Sequence, residues 1–215
     1  SEQTIYGIWD AQDDDLAQII KTNLNDSTSH VLVRETNGVI DQIALDTKAQ
    51  KIYWSFIPGS DDHRGAVYGT ALLKRANFDG SDVESLFWLD ARVLNLEVDR
   101  NTGMLYIKTS RDVESPIIHR YEVTEDSVHR LPSLDFSQSS DAFNPCAFKI
   151  DSINRQLYLL DSSRGVIATS NLNGSNFQEI VTDLESPFAL AIDIWAQRVS
   201  TSDIGTRGVG GGGAP

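Results

Sequence analysis

Residues 61 to 64, Asp-Asp-His-Arg, put two carboxylates and an imidazole side by side within "SFIPGSDDHRGAVYGTA", and both groups can ligate a divalent cation. Three adjacent residues cannot all converge on one ion, so a site there needs ligands from elsewhere, and His30, His119 and His129 are scattered through the chain. The run "AQDDD" at 11 to 15 carries oxygen ligands for calcium. It lacks the spaced acid-x-acid-x-acid loop with its glycine and reads as a solvated acidic turn. Calcium is therefore the one ion with any support, and no cofactor is required. The single cysteine, Cys146, excludes an internal disulfide and a thiolate metal cluster. Its apolar flank, "FNPCAFKI", predicts a buried, inert thiol. No G-x-S-x-G elbow and no phosphate-cradling G-x-x-x-x-G-K occurs. Two Asn-x-Ser sequons, at Asn25 and Asn173, are glycosylation candidates if the protein is secreted.

What holds these groups is a repeat. Asp46 precedes Tyr53 by seven residues, Asp99 precedes Tyr106 by seven, and Asp151 precedes Tyr158 by seven. A fourth copy keeps Asp193 but has Ser200 where the tyrosine should be. Each unit continues through "LLKRANFDGSDVESLF" or "GVIATSNLNGSNFQEIV", a strand, an Asx-Gly pair that predicts a tight primed hairpin turn, and a second strand. The segment "IIKTNLNDSTSHVLV" aligns on the latter without gaps, Asn25 on Asn173. Alternation such as Leu94, Leu96 and Val98 around Asn95 and Glu97, with β-branched and aromatic enrichment, favours strands over helices. Four short antiparallel strands repeated in series predict an all-β fold, a β-propeller of four or five blades over residues 1–204. The glycine-rich residues 205–215 are expected to form a flexible tail. The repeated aspartates and tyrosines are structural on this reading, bridging strands or blades identically at each repeat.

An Asp-ended strand, then "IYWS", then "RANFDGSDVESL" resembles the YWTD, or low-density-lipoprotein-receptor class B, repeat family. The resemblance runs from about Thr4 to Asp203 and implies a propeller, six-bladed in the family. Individual copies depart from the tetrapeptide ("YWSF", "YIKT", "YLLD", "YGIW"), and the family's cysteine-rich modules are absent. "TIYGIWD" starts in mid-blade, and "FALAID" at 188 to 193 supplies a strand that would complete the first blade and close the ring. That count gives four full blades. A ring with fewer blades, a piece of a longer propeller and a ring completed by a second copy of the chain all fit.

Propeller chemistry sits where loops converge around the channel. Phe56, His63, Trp88, Arg92, Phe143, Asn144 and Phe188 are the candidate ligand-binding residues, with the 55–71 insertion marking the binding side. With 18 basic against 31 acidic residues the formal charge is −13, which opposes a nucleic-acid backbone and favours a basic partner. No apolar run is long enough to span a bilayer. These features predict a secreted, ligand- or protein-binding module whose partner is a protein, a peptide or a small hydrophobic ligand. The alternatives are an enzyme guiding a cycloaddition, as in fungal secondary-metabolite propellers that such degenerate repeats also resemble, and a calcium-dependent lactonase-like propeller. The last needs acids and amides on the axis, for which Glu97 and Asn144 are the hints.

Overall fold

The computed structural model of the chain describes residues 3–11, 16–59, 70–113, 115–137, 143–193, 196 and 198–203. Their strands form five antiparallel sheets. The first holds β1 (Thr4–Ala11), β2 (Leu16–Asn23) and β3 (Ser29–Thr36). The second holds β4 (Gly38–Asp46), β5 (Lys51–Pro58), β6 (Ala71–Asn77) and β7 (Glu84–Leu89). The third holds β8 (Val93–Asp99), β9 (Met104–Thr109), β10 (Ile117–Val123) and β11 (Val128–Asp135). The fourth holds β12 (Ala147–Asp151), β13 (Gln156–Asp161), β14 (Val166–Asn171) and β15 (Gln178–Val181), and the fifth β16 (Pro187–Asp193) and β17 (Arg198–Asp203).

The leading strands β4, β8, β12 and β16 pack on one another in succession, so the sheets fan about a shared axis. Four apolar cores lie between the five sheets. Ala17, Ile19 and Val33 meet Ile40, Ile52 and Trp54; Ala44, Tyr53 and Leu73 meet Val93, Leu105 and Tyr121. Tyr106, Ile118 and Leu134 meet Phe148, Leu157 and Ala168, and Leu160 and Ile167 meet Leu190. The inner strands of each interior sheet are buried on both faces, and strand parity there assigns a side chain to one neighbour or the other. In β5, Ile52, Trp54 and Phe56 face the first sheet while Tyr53 and Ile57 face the third.

The same parity explains the repeat. Tyr53, Tyr106 and Tyr158 all face the following sheet, and the Tyr106 hydroxyl donates across to the Leu172 carbonyl at 3.0 Å. The aspartates end the leading strands and cap the turns that follow. Asp46 Oδ1 accepts from the backbone N–H of Lys48 and Ala49, Asp151 Oδ1 from Ile153 and Asn154, and Asp193 Oδ1 from Ala196. Asp99 also accepts from Arg155 of the next sheet at 2.5 Å. A carboxylate satisfies two or more turn donors at once, which is why an acid recurs there.

Three expectations need correction. Residues 188–193 pair with β17 rather than completing the first sheet, which has three strands among the described residues. The Asx-Gly turns are not two-residue primed turns. In each, Gly80 or Gly174 donates to the carbonyl of Asn77 or Asn171 three residues back and sits at φ +84°, a three-residue loop whose last position needs glycine. And Asn25 is not the counterpart of Asn173. Asn173 Oδ1 accepts from the Ser175 N–H and hydroxyl, and in the first sheet Asp26 makes those bonds to Thr28.

Because all neighbours are antiparallel, the capped turns and Asx hairpins open on one face of the fan, the turn face. The loops leading into each leading strand, and those after each Tyr strand, open on the other, the loop face.

Candidate functional site

The candidate binding residues divide between core and surface. Phe56 lies in the core between the first two sheets, packed so close over Gly38 that a Cβ there would meet its ring at 2.6 Å. Phe143 is fully buried, edge-on to Phe136 and Phe177. Both fill the fold and present no surface to a ligand. Trp88, near the end of β7, and Phe188, near the start of β16, are 59% and 57% exposed on the loop face. Val113 and Leu94 add exposed apolar surface to that face. His63, most of the inserted loop and the acidic run at 12–15 lie outside the described residues. Among the described residues no three His, Cys, Asp or Glu side chains gather as a metal site. Asn25 and Asn173 are both exposed, in hairpins on the turn face.

Arg92 is exposed but committed: its guanidinium makes a two-pronged contact with Asp41 on β4, at 2.7 and 2.6 Å. Such a fork fixes the loop entering β8 against the neighbouring sheet. Asn144 is likewise fastened, its N–H donating to Asp161 and its amide to the Val113 carbonyl. Glu97 pairs with Lys149 at 2.5 Å between β8 and β12, and burial raises its carboxyl while Lys149 opposes the shift. Glu97 and Asn144 belong to separate bonded groups and do not form a shared site.

Two features escaped the sequence. Lys108, in β9, is 1% exposed and donates to the Ser115 carbonyl at 2.7 Å and to Asn144 Oδ1 at 3.4 Å. Among the described residues no carboxylate forms an ion pair with it. Burial pulls its pKa down to about 8, against the upward pull of Asp112, Cys146 and Asp161. Alignment of the repeats held the signal, since Tyr plus two is Ser55 in the second sheet and Leu160 in the fourth, both buried. The second feature is a Ser-His-Asp constellation. His119 Nδ1 lies 2.9 Å from Ser133 Oγ, and Nε2 lies 3.0 Å from Asp112 Oδ2, which also accepts from Thr109 at 2.5 Å. Arg130 stands 2.9 Å from the same Nδ1, so a proton arriving there from Ser133 would form an imidazolium against a guanidinium. That contact opposes general-base action, and the network acts as a cross-link tying the 110–112 turn to β10 and β11.

Cys146 is exposed, with Sγ 2.8 Å from Ser162 Oγ, which corrects the buried thiol expected from its flank.

No protein-family model and no curated protein matches this chain. Among solved structures, it is similar to the propeller of a nidogen/laminin complex, with a TM-score of 0.62 and 18% identity over 93% of this chain and 72% of that one. It is also similar to TolB from Acinetobacter baumannii, with a TM-score of 0.58 and 13% identity over 86% of this chain and 46% of that one, so the chain spans about half of TolB. Identities this low carry the architecture alone. With five sheets fanned about one axis and two solved propellers as neighbours, the fold is a β-propeller.

Proposed function

We propose that the chain is a non-catalytic recognition module that binds a protein or peptide on its loop face. The observation that carries this reading is the exposure of Trp88, Phe188, Val113 and Leu94 on that face, where large apolar side chains serve as contact anchors. The excess of acidic residues favours a basic rim on the partner. The similar propeller in the nidogen/laminin complex comes from a protein assembly, in keeping with this reading. The Asp-to-Tyr repeat supports placing the chain with the YWTD propellers, and the exposed sequons at Asn25 and Asn173 suit an extracellular setting.

The test is affinity capture with wild-type bait beside a Trp88→Ser, Phe188→Ser bait, quantified by mass spectrometry. A polypeptide retained by the first and lost by the second supports the reading. Equal retention by both, or stabilisation by small hydrophobic ligands with no polypeptide captured, overturns it. Light scattering on the purified chain tests whether a second copy joins the assembly.

A further inference from the structure

The turn face carries a groove between the second and third sheets, with a volume of about 470 Å³. Its walls include Lys48, Lys51, Tyr53 and Arg75 from the second sheet and Arg100 from the turn that opens β9. Four cations and two carboxylates, Asp46 and Glu125, line it. That is an inverted balance in a chain of net charge −13.

The repeat supplies an internal control. Lys48 and Lys51 stand two and five residues after Asp46, and Arg75 is the strand partner of Tyr53. The corresponding residues in the third sheet are Asn101, Met104 and Arg120, and in the fourth Ile153, Gln156 and Thr169. Lysine-rich walls are therefore no requirement of the fold, since the same backbone is built without them in the next two sheets. The groove between the fourth and fifth sheets, also about 470 Å³, is lined by Asp151, Asp193, Gln156 and one cation, Arg198.

The cations of the basic groove are incompletely engaged. Arg75 is paired with Glu84 at 2.7 Å. Among the described residues, Lys48 Nζ donates only to the Asn101 carbonyl, at 3.2 Å, and Lys51 Nζ only to Asn77 Oδ1, at 2.7 Å. Neither lysine nor Arg100 forms an ion pair with a described carboxylate. Each ammonium has three donors, so two remain on each lysine. Asp46 accepts from the turn N–H groups of Lys48 and Ala49 and forms no ion pair with either lysine, so its charge offsets theirs without occupying their donors. Thus three positive groups from two sheets converge on a cleft of small-ligand size beside a tyrosine wall.

We propose that this groove binds a small organic anion through carboxylate or phosphate oxygens, held between the ammonium groups of Lys48 and Lys51 and the guanidinium of Arg100. The site is on the face opposite the apolar loop surface and is independent of the recognition reading above.

The experiment is a titration of isotope-labelled protein with inorganic phosphate and, separately, with citrate, followed by amide resonances and matched in ionic strength with sodium chloride. Saturable shifts at Ala49, Thr102, Gly103 and Glu125 that chloride does not produce are expected. Saturation by citrate alone assigns a carboxylate ligand, and saturation by phosphate alone assigns a phosphate ligand. The Lys48→Asn, Lys51→Gln variant installs residues that other sheets carry at these positions, so it preserves the fold. It should weaken binding at least about tenfold. Arg198→Gln, in the other groove, should leave binding unchanged. Shifts no different from chloride for both anions, or binding that survives Lys48→Asn, Lys51→Gln, overturn the proposal.

Discussion

Replacing Lys108 by methionine removes a buried ammonium while keeping the length of the side chain. The wild-type group has a folded-state pKa of about 8, below the 10.5 of the free side chain. The unfolded chain therefore holds this proton more tightly than the folded one, and stability rises with pH. The contribution is fully present above 10.5 and is lost as pH falls through 8. Between pH 7 and pH 9.5 the folded group discharges while the unfolded group stays mostly protonated. At about 1.4 kcal/mol per pKa unit, wild type should gain about 2 kcal/mol over Lys108→Met across that window. Urea unfolding of both proteins at the two pH values measures it. Subtracting the variant cancels Tyr53, Tyr106 and Tyr121, whose pKa values burial raises. A difference that stays flat, or that moves against wild type as pH rises, refutes the assignment of Lys108 as a charge held in the interior without a counter-ion.

Glu35 serves two partners between the first two sheets, accepting from Trp54 Nε1 at 2.9 Å and pairing with Lys74 at 2.6 Å. Glu35→Ala leaves the partly buried Lys74 ammonium without its counter-ion and should cost about 3 kcal/mol in urea unfolding, with much of the loss recovered in Glu35→Met, Lys74→Met. Gly165 has φ +63°, and a Cβ there would stand 2.1 Å from the Leu184 carbonyl oxygen. Gly165→Ala should lower stability by at least about 1 kcal/mol, whereas Gly7→Ala, with nothing within 4 Å of the added Cβ, should not; thermal melting compares the two. Cys146 is the chain's single thiol and is exposed, so a disulfide reagent should titrate one equivalent without denaturant; a thiol seen only on unfolding would contradict its position.

Periodicity was legible because it reports chemistry that every blade repeats. An acid at the end of each leading strand caps a turn, and a tyrosine seven residues on faces the next sheet, so Asp46, Asp99 and Asp151 could be read from their spacing. Side-chain destiny was harder to read. In a strand buried on both faces there is no polar side to mark the outward direction, and the loop carrying Phe143 has no period at all, so Phe56 and Phe143 look no different in sequence from Trp88 and Phe188. The apolar flank of Cys146 misled for the same reason, since Phe143 and Phe148 are buried while Cys146 between them is not. Pairs such as Arg92 with Asp41 and Trp54 with Glu35 join different sheets and leave no local pattern. The cationic groove was discoverable only by comparing equivalent positions once the strand register was known.

The seams between sheets are fastened unequally. Between the third and fourth sheets run Arg155 to Asp99, Tyr106 to Leu172, Asn101 to the Ser152 carbonyl, Lys149 to Glu97 and the Phe148 N–H to Asn95. The last seam rests on a small cluster around Leu160, Ile167 and Leu190. Spontaneous opening should follow that gradient: amide protons of β16 and β17 exchange with solvent early and as a group, while those of β8, β9, β12 and β13 exchange last and together. The protein would then come apart from one end inward, with its third and fourth blades behaving as a single cooperative block.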